Sequence, residues 1–117
     1  MKVEIDIDNW KSQIKKGYLD LCILLTIDSR KRIYGFELLD VLKILDLTVK
    51  EGTLYPLLSR MSCDGLLATE WETENSSGHP RKFYSLTKAG KIAVSQMQAE
   101  FDKLIDVYTD IKNLETK

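Results

Sequence analysis

From Trp10 the apolar residues Trp10, Ile14, Tyr18, Leu21 and Leu25 step by four, four, three and four, one face of an amphipathic helix, with Asp8 or Asn9 available as N-cap. This predicts a first helix over 9–28. The polar cluster Ser29, Arg30, Lys31 and Arg32 interrupts it, and Phe36, Leu39, Leu42 and Leu45 then recur at three-residue steps, widened by Leu38 and Val41. A second helix is expected over 34–45. Thr48-Val49-Lys50-Glu51 has the form of a capping box, so a third helix should begin near Val49, with Leu54, Leu57, Leu58 and Met61 inward and Gly65 closing it. Pro56 lies inside it, removes one hydrogen bond and crowds the carbonyl of Gly52, so a kink or a late start over 50–64 is expected.

Beyond Gly65 the period shortens. Residues 66–73 and 81–86 are rich in strand formers and flank the polar turn residues 74–80, which predicts a two-stranded hairpin. A last helix should start at Thr87 and run to Asn113, about 40 Å long at 1.5 Å per residue. Helix, helix, helix, hairpin, helix is the order of a winged helix-turn-helix carrying a long C-terminal helix: a fold that is mainly α with a small β-hairpin, or α+β. The expected units are a DNA-binding domain over 9–86 and a dimerisation helix over 87–117.

With 117 residues, of which 44% are hydrophobic, the chain holds material for one core and not for a multidomain enzyme. No leader is visible in its acidic start, its apolar runs are too short to span a membrane, and two cysteines do not make a disulfide scaffold. A cytoplasmic protein without membrane contact is expected. The formal net charge of -1 conceals a local asymmetry. Residues 76–91 carry Arg81, Lys82, Lys88 and Lys91 and no acid, whereas 51–75 set five acids against Arg60. A neutral protein can present a basic patch to phosphates in this way.

The runs Tyr34-Gly35-Phe36-Glu37-Leu38, Glu51-Gly52-Thr53-Leu54-Tyr55-Pro56-Leu57-Leu58-Ser59-Arg60-Met61, Gly65-Leu66 and 78–90 (GHPRKFYSLTKAG), in that order over residues 17–91, resemble the PadR family of transcriptional regulators. The resemblance implies a dimeric bacterial-type repressor of the short kind, in which one final helix dimerises. In multidrug-sensing relatives within that family an aromatic on this helix lines a flat pocket at the dimer centre. Phe101 stands at the matching position, where those relatives carry tryptophan.

Projected at 100° per residue, the third helix turns Gly52, Pro56, Ser59 and Cys63 away from its leucine face, with Tyr55 and Arg60 on the flanks. So small a face lets the backbone approach a DNA groove. Thr53, Tyr55 and Pro56 are candidates for base edges or the groove floor, Lys50 and Arg60 for phosphates, and Thr48 belongs to the same surface. His79, Arg81 and Lys82 of the wing are expected on the neighbouring backbone. Along the last helix Val94, Met97, Phe101, Leu104, Tyr108 and Ile111 step by three, four, three, four and three, a heptad seam broadened by Ile105, and a homodimer is the expected partner. Trp10, Ile14, Met97 and Phe101 are candidates for binding a small aromatic effector.

Cys22 reads as a small core residue and Cys63 as exposed, and the single His79 gives these cysteines no recognised zinc spacing. No cofactor, metal or enzymatic activity is expected. Two other readings stay open, a winged-helix protein-interaction module that never meets DNA and a sensor whose main task is ligand binding. Retention on heparin, lost with salt, separates the first of these from a DNA binder.

Overall fold

The computed structural model describes residues 3–73 and 78–114. Its elements are α1 (Asp8–Arg30), β1 (Ile33–Tyr34), α2 (Gly35–Ile44), α3 (Glu51–Cys63), β2 (Leu67–Glu72), β3 (Arg81–Leu86) and α4 (Lys88–Asn113). The three strands form one antiparallel sheet in the order β1-β3-β2, with β3 central. The winged-helix order expected from the periodicity is present, on an α+β scaffold that is mainly helical.

One cluster makes the core. Leu19, Ile23, Leu24 and Ile27 of α1 meet Leu38 and Leu42 of α2, Leu54, Leu58 and Met61 of α3, Ile33, Leu67 and Tyr84 of the sheet, and Val94 of α4. At roughly 1.5–3 kcal/mol for each large apolar side chain removed from water, this cluster is the main force holding the elements together.

Four local expectations are corrected. On α1 the stripe facing the core is Leu19, Ile23 and Ile27, not the one led by Trp10. Trp10 is 60% exposed and Ile14 is exposed, because the N-terminal half of α1 projects beyond the core; Leu21, on the expected stripe, borders α4 instead. On α2 the buried positions are Leu38 and Leu42, while Phe36 and Leu45 lie open to solvent. A three-residue step drifts around a helix of 3.6 residues per turn, whereas a four-residue step stays on one face. Neither Asp8 nor Asn9 caps α1; the Asp6 carboxylate accepts the Asp8 N–H at 2.8 Å. The capping box is not formed either, since α3 starts at Glu51 with Lys50 at the N-cap. Thr48 lies two residues too early, and its carbonyl accepts a bond from Lys15 Nζ at 3.1 Å.

The sheet has a third strand that the sequence did not announce. Two residues carry no period, and β1 exists because Ile33 and Tyr34 pair with Tyr84 and Phe83 of β3. At the other end of α3, Gly65 takes φ 81°, donates to the Ser62 carbonyl, and lets the Leu66 N–H reach Met61 O. Those two bonds satisfy the carbonyls that the helix end leaves free, in the left-handed conformation glycine adopts most easily.

Thr87 joins three elements. Its hydroxyl caps α4 by accepting the Gly90 N–H at 3.0 Å and donates to Gly65 O at 2.6 Å, while its N–H donates to Leu66 O at 3.0 Å. The start of α4 is thereby fixed to the end of α3 and the base of the wing. Packing therefore continues past residue 86: Gly90 and Val94 are buried and Met97 rests on the core. Val94, expected in the dimer seam, belongs to the chain's own interior. From Phe101 onward every described residue of α4 is exposed. The molecule measures 62 × 37 × 22 Å.

Candidate nucleic-acid interface

Burial of Leu54, Leu58 and Met61 fixes the rotation of α3 about its own axis. With those three inward, Gly52, Thr53, Pro56, Ser59 and Cys63 are all exposed, which is the small, uncharged outer face expected from the helical projection. Pro56 is the sixth residue of α3, in its second turn, and leaves one bond, that to Gly52 O, unmade. Lys50 and Thr48 are exposed at the entrance to the helix.

Tyr55 and Arg60 are placed differently from a free reader of bases and a free phosphate ligand. Tyr55 is half-buried and its ring lies against Gly35, where an added Cβ would collide with the ring and its hydroxyl. Burial, and secondarily the charge of Glu51, hold its phenol above the ordinary tyrosine range. Tyr84 beside it is raised by burial, and secondarily by Tyr55. Tyr55 thus supports the floor between α2 and α3. Arg60 donates through Nη2 to Asp20 Oδ2 at 2.6 Å, tying α3 to α1. Both groups are more than a third exposed, so the bridge is worth at most about 1 kcal/mol and can exchange for a phosphate.

Register assigns the wing residues to faces. Trp71 pairs with Lys82 and Thr69 with Tyr84 on the face that carries Leu67 and Leu86; Glu70, Glu72, Arg81 and Phe83 lie on the other. The two acids of β2 therefore point away from the side bearing Lys82 and Trp71. Lys82 Nζ stands 5.8 Å from the Trp71 ring centroid and 5.7 Å from that of Tyr84, and the Arg81 guanidinium lies 4.8 Å from that of Tyr34. Contacts of this kind hold long cations in place while leaving their charge available. His79 and Pro80 lead into β3 and are exposed; the tip, residues 74–77, lies outside the described residues.

Between α3 and the wing runs a groove of about 670 Å³, whose walls bring together Ser59 and Tyr55 from α3, Phe36 from the start of α2, and Trp71, Arg81 and Lys82 from the wing. His79 also borders it, and among the described residues no acid does. The structure thus unites Tyr55, Ser59, His79, Arg81 and Lys82 around one recess. Thr48 and Lys50 stand outside it. Tyr34, Phe36 and Trp71 also line the recess, and the sequence pattern does not single them out as site residues. For Trp71 a signal exists, since it is two positions on from Thr69 and four from buried Leu67 and shares their face.

A second recess, about 420 Å³, lies between α1 and α4 and is bordered by Gly17, Leu21, Met97, Glu100, Phe101 and Leu104. Of the four effector candidates it brings together Met97 and Phe101. Trp10 and Ile14 lie farther toward the N-terminus of α1 and do not border it. Among the described residues no cluster of three or more His, Cys, Asp or Glu has the arrangement of a metal site, and no helix is long and apolar enough to cross a membrane.

A three-helix core with a two-stranded wing against an open third helix defines a winged-helix module of the kind found in transcriptional regulators. Residues 23–96 match the Transcriptional regulator PadR-like family, and the chain belongs to that family. It is similar to a PadR-like transcription factor of Bacteroides fragilis, with 40% identity, a TM-score of 0.73, and 89% of this chain and 99% of that one covered. A PadR family transcriptional regulator from Eggerthella lenta superposes with a TM-score of 0.79 at 30% identity, covering 95% of this chain and 94% of the other. Over 56 residues, 48% of this chain and 50% of that protein, it is 38% identical to Transcriptional regulator Rv3488 of Mycobacterium tuberculosis. The relatives are regulators of transcription.

Proposed function

We propose that this chain is a cytoplasmic repressor that binds a pseudo-palindromic operator as a homodimer, with residues 9–86 as its DNA-binding unit and 87–117 as its dimerisation unit. The observation that carries the reading is the small, uncharged outer face of α3 beside a groove bordered by Arg81, Lys82 and His79 and, among the described residues, by no acid. In this reading Thr53, Pro56 and Ser59 approach base edges, Gly52 lets the backbone come close, and Lys50, Thr48, Arg60, Arg81 and Lys82 engage phosphates. Tyr55 contributes by supporting the groove floor. The dimer forms through Phe101, Leu104, Ile105, Tyr108 and Ile111, a continuous exposed apolar stripe that a second copy would cover.

A flat aromatic effector would enter beside Met97 and Phe101 and change the angle between the two final helices. DNA affinity would then fall only as far as the effector prefers the non-binding dimer. The experiment is a mobility shift and footprint on duplex DNA from upstream of the chain's own gene. Protection of two half-sites about one helical turn apart, or a small multiple of it, is the expected result. A chain that binds no fragment at low salt and passes through heparin unretained is a protein-interaction module instead.

A further inference from the structure

Arg32 precedes β1, and its side chain crosses the central strand of the sheet to reach the far one. The guanidinium lies 3.8 Å from the Phe83 ring centroid on β3, and Nη2 donates to Glu72 Oε2 on β2 at 2.8 Å. Phe83 in turn meets Tyr34 of β1 edge to face, with centroids 5.5 Å apart, and Arg81, opposite Glu72 in the register, covers Tyr34. All of this lies on the sheet face opposite to that of Trp71 and Lys82. The wing needs such a brace, for residues 68–71 of β2 are exposed and β1 contributes only two pairs. A two-stranded hairpin is marginal by itself.

We propose that Arg32 is a positioning residue for DNA binding: by spanning Phe83 and Glu72 it sets the pose in which the wing presents Lys82 and Trp71 beside α3. Glu72, an acid on the wing face turned away from Lys82 and Trp71, then strengthens DNA binding. The proposal rests on the DNA-binding reading above. Simple electrostatics gives the opposite sign, since deleting a carboxylate beside DNA ordinarily raises affinity.

The test uses the full chain with Glu72→Gln, Arg32→Gln, the double variant and Arg32→Lys. Duplex DNA from upstream of its own gene is titrated, and amide hydrogen exchange is followed over 69–72 and 81–84. Each Gln variant is expected to bind about 3–5-fold more weakly, the size that one exposed ion pair and one stacked cation supply. The double variant should be no weaker than the worse single one, as two partners in one contact require. Exchange in the hairpin should quicken in both, thermal midpoints should stay within about 2 °C, and Arg32→Lys should bind within about twofold of wild type. Equal or tighter binding by Glu72→Gln overturns the proposal, and tighter binding would mean that the released Arg32 meets phosphate itself. Additive weakening, or a large fall in midpoint with exchange rising throughout the chain, overturns it as well. Should the wild-type chain bind no DNA, the functional reading fails separately, and the exchange measurement decides the brace: unchanged hairpin exchange removes it.

Discussion

Cys22 and Cys63 differ in surroundings although neither is in a disulfide. Cys22 is half-buried on α1 and burial raises its thiol, whereas Cys63 is exposed at the end of α3. A thiol reagent at pH 7–8 should modify Cys63 first, and Cys63→Ser should leave only a slow reaction; equal rates for the two thiols would contradict the burial of Cys22. Tyr55 and Tyr84 give the pH dependence. Their phenols are raised above the ordinary range near 10, so the folded state favours the neutral form. That contribution is complete below the unfolded value and is lost as pH rises through the folded one. Thermal stability should therefore fall above about pH 10, less steeply in Tyr55→Phe, and a midpoint flat to pH 11 would contradict it. At this scale the small outer face of α3 was legible because helical geometry alone sorts its residues. The inward lean of Tyr55 and the Arg60–Asp20 bridge were not, since both depend on neighbours distant in sequence, Gly35 and Asp20.

Among the elements, α4 and the hairpin could be read from the sequence with little error. Thr87 does begin α4, and the strands lie within a residue of their expected ends. The hydroxyl of Thr87 also holds Gly65, a link no local pattern contains. Replacing it by Val removes a cap and a long-range bond, and should cost about 1–2 kcal/mol in denaturant unfolding. A change under a few tenths would show that water replaces both bonds. Missed features share one cause. A two-residue strand and an unused capping box are decided by tertiary pairing and by where the chain turns, and neither leaves a period in the sequence. On α1 one helix serves two faces, Leu19, Ile23 and Ile27 toward the core and Gly17 and Leu21 toward α4, so a single apolar stripe could not describe it.

For the whole molecule, the last turns of α4 and the first turns of α1 carry apolar residues that the chain itself does not cover, with Leu104 56% exposed and Trp10 at 60%. A dimer at micromolar concentration should therefore sediment as such, and Leu104→Glu should dissociate it with little change in monomer fold, because position 104 packs on nothing in the core. A monomeric wild-type chain would leave that stripe unexplained. The same variant should lose operator binding, as a two-fold site needs both recognition helices.

The central claim is that α3 and the wing form one DNA-binding surface in which Arg81 and Lys82 neutralise phosphates. It is tested most directly by the salt dependence of affinity for duplex DNA from upstream of the chain's own gene, for wild type and for Arg81→Gln/Lys82→Gln. The predicted result is weaker binding by the double variant at every salt concentration, with the slope of log K against log salt smaller in magnitude by about 0.9 for each phosphate no longer neutralised, about 1.8 for two. Wild-type affinity and an unchanged slope in the double variant would contradict it.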